Sequence, residues 1–418
     1  MPFLFALPAS AEVKYVTPDG SGDGVSWASA MGLEKFIDEV KGDGNEFRLA
    51  EGDYVLIETL EPGDGVTIKG GYSGTGNERD PAAYETKLNG GGVIPVMKVA
   101  ENNTVTLDGL TITRGLAGHF GGGIFCDEGG NATAINCAFT GNRSIDAGGA
   151  VAAVNLTPSK FSPEFTARNC TFEGNTASAA GAVYVWEGEF TAEGCTFVNN
   201  SASQVGAVSV VGDMIGVFNA TNCTFTGNES TGGYGGALRL GYKFDATITN
   251  CTFKDNKSGE EMKGHSVSFT EPEPGAAFNA INTIFWGTNH DQFYNGDGLP
   301  DTFSLSHCIV QGGFPGDTNV INRDPLLDDL ADNGGPTKTM ALREGSPAID
   351  AGTAEGAPAT DQRGVARPRG NAFDIGAFER NQGGTPGGSG GCSALASSPS
   401  ALLLLAPLAA LAWKRGQR

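Results

Sequence analysis

Along most of this chain, apolar positions alternate with polar and β-branched ones at period two, and the alternation itself recurs. In Phe165-Thr-Ala-Arg-Asn-Cys-Thr-Phe-Glu-Gly-Asn175, Phe165 and Ala167 alternate with Thr166 and Arg168, the pattern of a half-buried strand. Asn169 interrupts the alternation, and Cys170 and Phe172 resume it around an outward Thr171. Gly174-Asn175 then supplies a turn, because Gly and Asn tolerate positive φ. A Gly-Ala-Val strand follows. Dense Gly with β-branched Thr and Val argues against helix.

The block repeats. Phe-x-x-Asn occurs as Phe139–Asn142, Phe172–Asn175, Phe197–Asn200, Phe225–Asn228 and Phe253–Asn256, each preceded at two residues by Cys137, Cys170, Cys195, Cys223 or Cys251. Alternating with it stand Gly148-Gly-Ala-Val151, Ala180-Gly-Ala-Val183, Val205-Gly-Ala-Val208 and Gly235-Gly-Ala-Leu238. A repeat of about 25–33 residues cannot bury its apolar side alone, so copies stack into a solenoid. Three short strands per turn predict an all-β fold: a right-handed, single-stranded parallel β-helix over about 45–322. Stacked coils lie about 4.8 Å apart, so Cys and Phe form two internal ladders. Asn136, Asn169, Asn222 and Asn250 fall at a bend, where their amides are expected to bond each other; Gly194 interrupts that row. Leu110 and Ile112 upstream, and Asn282–Phe285 and His307–Val310 downstream, continue the pattern less perfectly.

Composition narrows the function classes. A net charge of −21 with 27 Lys+Arg against 48 Asp+Glu excludes nucleic acid as a partner on electrostatic grounds. Laddered cysteines point in parallel at the rung spacing, beyond the Cβ separation of about 3.8 Å that a disulfide needs. They read as small buried hydrophobes, not bridges or metal ligands.

The ends differ from the middle. Phe3–Ala9 is apolar and runs into Ala9-Ser10-Ala11, a signal-peptidase-like site with cleavage expected after Ala11. Residues 12–44 form an N-terminal cap, with Met31, Leu33, Phe36, Ile37 and Val40 at helical spacing to cover the open first coil. Residues 323–380 form a closing segment. Residues 381–392 are a Gly-rich linker ending in Gly391-Cys392, and 393–418 an apolar tail with a basic end at Lys414 and Arg415. The run Ala401–Trp413 spans only about 20 Å as helix, short of a bilayer core of about 30 Å. The tail is expected to attach the chain to a membrane.

The Gly-Gly-Ala-Val and Phe-x-x-Asn pair resembles the repeats of polymorphic outer-membrane proteins. With Tyr15–Gly24, Ser26-Trp27, Ser346–Gly352, Asp361-Gln-Arg-Gly and Asp374–Glu379, residues 13–380 resemble the choice-of-anchor Q family of exported β-helix proteins. That resemblance implies surface display in a bacterium by way of an interchangeable anchor. The tail resembles Gly-Gly-Cys sorting signals of the CTERM class, which implies a sorting protease acting near Gly391 and Cys392. Adhesion or display, with a surface glycan or protein as ligand, is the expectation by analogy.

Polysaccharide cleavage is the alternative, since related β-helices include pectate lyases. That chemistry wants clustered carboxylates, a base and often calcium on one coil face. Glu173, Val198, Thr226 and Lys254 share one rung position, and Arg168, Glu193, Thr221 and Thr249 another; neither is an acidic column. No catalytic or cofactor-binding residue is assigned. His119, His265, His290 and His307 read as surface or turn residues. Asn295, Asp297 and Asp301 in a Gly-rich turn are a weak calcium candidate without the spacing of a complete EF-hand loop. Asp361, Arg363, Arg367 and Asp374 read as an ion-pair lock on the last coil. One connection varies in length between repeats, and Phe161, Trp186, Met214 and Tyr242 near it are candidate ligand contacts.

Overall fold

The computed structural model describes residues 11–157, 161–259, 264–287, 290–314 and 320–381; the signal-like run before Ala11, Gly391, Cys392 and the apolar tail lie outside them. One coil shows the plan. Its strands are Val151–Val154, Glu164–Arg168, Thr171–Glu173 and the two-residue Thr176–Ala177. Each pairs in parallel with its counterpart one coil on, in Val183–Trp186, Glu189–Glu193, Thr196–Val198 and Ser201–Ala202. Four faces result, one more than the three-strand expectation, because the two residues after each motif Asn also make ladder bonds. The first two faces form one bent sheet of 17 strands, the third face has eleven and the fourth six.

The turn between the second and third faces needs a left-handed residue. Gly109, Asn136, Asn169, Gly194, Asn222, Asn250, Asn282 and His307 all have φ between 49° and 68° there. Asn and Gly are the residues that accept that conformation most readily. The expected amide row at this bend is only partial: Asn169 donates to Asn136 and Asn282 to Asn250, both at 3.3 Å.

The continuous amide ladder lies elsewhere, in the Asn that closes each Phe-x-x-Asn. Asn142, Asn175, Asn200, Asn228 and Asn256 are buried, and the side-chain N–H of each of the first four donates to the next Asn Oδ1 at 2.9–3.1 Å. The same Oδ1 accepts the neighbour's backbone N–H, at 3.0 Å for Asn142 to Asn175. The turn is made by the residue before it, as Gly174 with φ 63° and Asn199 with φ 54° show. Sequence spacing alone assigned the Asn of the motif to the turn; the structure turns it inward, where only a fully paired amide is tolerated.

Beside it run the rings. Phe139, Phe172, Phe197, Phe225 and Phe253 stack with centroids 4.4–4.7 Å apart and planes within 3°. Phe165, Phe190 and Phe218 form a second column at 5.5 Å. The seven described cysteines are buried. Cys170, Cys195, Cys223 and Cys251 each donate Sγ–H to a carbonyl two residues earlier at 3.3–3.4 Å. Burial pushes the Cys170 and Cys223 thiols up and Cys126 to about 12. With these sulfurs shut off from solvent, native protein is expected to react with thiol reagents only on unfolding; fast labelling at several of these sites would contradict the packing.

The Gly of each Gly-Ala-Val is set by close approach. A Cβ on Gly149, Gly181 or Gly206 would stand 2.1–2.2 Å from the carbonyl oxygen of the matching Gly in the next coil. At the N-terminus, Val13–Val16 pairs with Glu46–Ala50, and the helix Leu33–Glu39 buries Phe36 and Ile37. Phe36 meets Phe47 edge-on at 5.2 Å, which covers the first coil as expected.

The closing segment departs from expectation. It packs on the last coils but does not stop there: it returns along the third face as a strap. Leu327, Met340, Leu342, Ile375 and Phe378 pack on Ile284 and Ile309. Asn282 then bonds Thr353, and Asn250 the carbonyls of Asp374 and Gly376. Farther back, Asn222 donates to Thr360 O at 2.8 Å. Gln362 joins two coils, accepting from Thr224 at 2.7 Å and donating to Thr196 at 2.9 Å. Thr337 reaches Gly194 O at 2.8 Å. The outward threonines of the third face are therefore what the strap grips.

Candidate ligand-binding surface

The four strap residues singled out by sequence do come together. Arg367 and Glu379 form a fully buried pair at 2.9 Å, and Arg363 pairs with Asp361 at 2.7 Å while lying over the Phe378 ring at 3.5 Å. Asp361 also accepts the backbone N–H of Val365 and Glu379. Asp374 accepts from Asp350 N at 2.8 Å and Arg380 N at 2.6 Å. Every group faces another group of the strap or a bend Asn, so this cluster holds the strap down. Burial pushes the Asp374 carboxyl up to about 6, against the two N–H donors. Since its folded value is raised, the group's contribution to stability is present below the unfolded value near 4. It is lost as pH rises toward 6. Wild-type protein is expected to lose up to about 3 kcal/mol from this group across that window, and Asp374→Asn to flatten the slope; equal slopes in chemical denaturation at pH 4 and 6 would contradict the assignment.

Other candidates are dispersed. Asp301 accepts Gly275 N at 2.8 Å, and Asn295 O closes a turn with Gly298 N; Asp297 is exposed beside them. The described residues contain no group of three or more His, Cys, Asp or Glu placed to hold a metal. His119 is exposed and bonds Asp146, and His290 is exposed. His307 sits at the bend. His265 departs from the surface reading: it is buried, its Nδ1 accepts Ser258 N–H at 3.0 Å, and burial lowers its pKa. The mixed rung positions are adjacent as expected, Glu173 to Val198 to Thr226 to Lys254 and Arg168 to Glu193 to Thr221 to Thr249.

The variable connection falls at the turn between the first and second faces. In successive coils it contains Leu156 and Phe161, then Glu187-Gly188, then Met214 and Ile215. Leu156, Phe161, Met214 and Ile215 are 42–61% exposed. Trp186 and Tyr242 are half-buried on the strands that lead into it.

The outward column of the first face is the feature that repeat reading missed. Here Phe125, Ala152 and Tyr184 stand on consecutive rungs, followed by Ser209, Arg239, Ser268 and Tyr294. Large and small residues alternate along it. Phe120 stacks on Phe125 and Tyr184 at 5.7 and 6.5 Å. Tyr234 lies 5.9 Å under the Arg239 guanidinium and 5.8 Å from Tyr294. Arg239 donates to neutral partners, Thr270 Oγ1 at 3.1 Å and Gln204 Oε1 at 2.8 Å. Ser209 and Ser268 are buried and their hydroxyls have no hydrogen-bond partner. Burial pushes the Tyr184 phenol up to about 12, with Arg239 opposing and Tyr242 adding. The signal for this column was available only after the Gly-Ala-Val strands were stacked and their second residues compared.

A hollow of about 540 Å³ opens on the third face where the strap ends. Arg79, Glu85, Thr111, Asn169 and Pro336 are among its walls. It is continuous with the strap's far margin, which Asn169 and Pro336 also border.

Fold and ladders define a β-helix repeat protein. The family model described as a right handed beta helix region matches residues 82–213 and 123–289. Among solved structures, one titled "Crystal structure of pectate lyase Pel9A" is similar over 89% of this chain and 97% of that chain, at 16% identity and a TM-score of 0.49. None of the curated proteins matches.

Proposed function

We propose that this chain is a non-catalytic β-helix exported to a bacterial surface, where it serves adhesion or display. The observation that carries this reading is the recurrence of exposed Leu156, Phe161, Met214 and Ile215 at the same turn of two coils with one coil between them, beside an interior of unbroken ladders. A rigid rod with length variation and apolar side chains confined to one edge suits contact with a partner. The buried charges of Arg367 and Glu379, by contrast, pair with each other within the scaffold.

Incubating the protein with acidic and neutral glycans, with and without calcium, is expected to release no shorter products. Cleavage of any glycan overturns the reading in favour of a lyase or hydrolase. Export and anchoring rest on Ala11, Gly391, Cys392 and the basic-ended tail. Intact-mass analysis of protein from its own membrane is expected to place the mature ends at Glu12 and near Cys392; retention of 402–418 would leave an uncut membrane tail instead.

A further inference from the structure

We infer that the outward column of the first face is a binding strip for a linear polysaccharide laid along the helix axis. The inference rests on the non-catalytic surface reading above and specifies its ligand. Three observations converge on a sugar chain. Flat rings and a guanidinium recur on every second rung, roughly 10 Å apart by the rung spacing, and Phe120 and Tyr234 pack against them to widen them into two aromatic platforms. An extended glycan repeats on the same scale, presenting alternating C–H faces and hydroxyl edges. Aromatic faces attract the first through their negative quadrupole.

The polar groups suit the second. Arg239 sits in a chain of net charge −21 with its bonds directed to Thr270 and Gln204, so its charge is not neutralised by a contacting carboxylate. A planar guanidinium flanked by rings is a preferred anchor in recognition surfaces. Ser209 and Ser268 flank Arg239 on the rungs before and after it, and both hold unpartnered hydroxyls at the floor. A buried hydroxyl without a partner is costly. A hydroxyl-rich ligand that shifts the Arg239 side chain would supply the partners. A purely apolar partner would leave these groups unmet, and the serines would break its contact.

Affinity electrophoresis of the full chain, in gels cast with hydroxyethyl cellulose or with alginate, tests this. Wild type is expected to be retarded in at least one gel. Retardation by alginate alone assigns Arg239 to a carboxylate; retardation by both assigns it to hydroxyls. Arg239→Ala and Tyr184→Ala are expected to weaken binding roughly tenfold each, Tyr184→Phe to retain it, and Thr176→Ala on the exposed fourth face to leave it unchanged. Thermal midpoints within the wild-type range show that the variants are folded. Free migration of wild type in both gels, or wild-type retardation of folded Arg239→Ala and Tyr184→Ala, overturns the strip. Glycan shortening, measured in the same samples, instead overturns the non-catalytic reading and leaves the strip standing.

Discussion

Asn200→Ala is expected to lower stability by roughly 3–6 kcal/mol, although it removes a side chain with no apolar surface to bury. Asn200 donates to Phe172 O and Asn228 Oδ1, both at 2.9 Å, and accepts from Asn175 N at 3.0 Å and Nδ2 at 2.9 Å. Its loss strands up to four buried polar groups on two adjacent coils, each worth about 1–3 kcal/mol when left unpaired. Because stability in a solenoid is nearly a sum of coil and interface terms, the break is also expected to divide the urea transition into two steps. The neighbouring Asn199 supplies the control. It is exposed, with φ 54°, so Asn199→Gly is expected to change stability by under about 1 kcal/mol. Similar midpoints for the two variants would refute the ladder.

Glu379→Ala is expected to cost about 3–5 kcal/mol and to free the strap. Both partners of the Arg367–Glu379 pair are fully buried, and removing one leaves an uncompensated charge in a dry site. Glu379 also accepts Arg369 N at 2.8 Å and Asp374 N at 3.0 Å. Burial already lowers the Arg367 pKa, with Glu379 acting against that. Arg367→Met combined with Glu379→Leu is expected to be milder than Glu379→Ala alone, since it removes both charges. Limited proteolysis reads the outcome: early cleavage between residues 355 and 370 in Glu379→Ala, with the coils resistant. A strap that stays protected in that variant would show that Thr337, Gln362 and the apolar contacts hold it unaided.

The repeat was legible because burial repeats. Phe172 and Cys170 recur at one rung position, and any period-two reading points them inward. The amide ladder was misplaced because Asn169 and Asn175 are equally periodic. Spacing does not tell a left-handed bend from an inward side chain; φ of 55° at Asn169 and the buried bonds of Asn175 do. Of the strap, only its cluster of charged residues was legible, not its course. Its grip consists of carbonyls, threonine hydroxyls and one glutamine reaching across 166 residues to Thr196, and such contacts leave no periodic trace. The strip on the first face was hidden for another reason: Tyr184, Ser209 and Arg239 have nothing in common as residue types. Only their shared rung position makes them a surface.

The strap imposes an order of assembly. Coils form from contacts with the next coil alone, so a chain emerging N-terminus first can wind as it appears. The strap's bonds to Gly194, Thr196 and Thr224 join segments separated by more than 130 residues, and loop closure makes such contacts late ones. Until residue 380 is available, the threonines and bend asparagines from 194 to 282 face solvent as an unfilled track. Completion of the chain is thus registered far back along the rod, and a truncated product would carry an open seam that a full-length one does not.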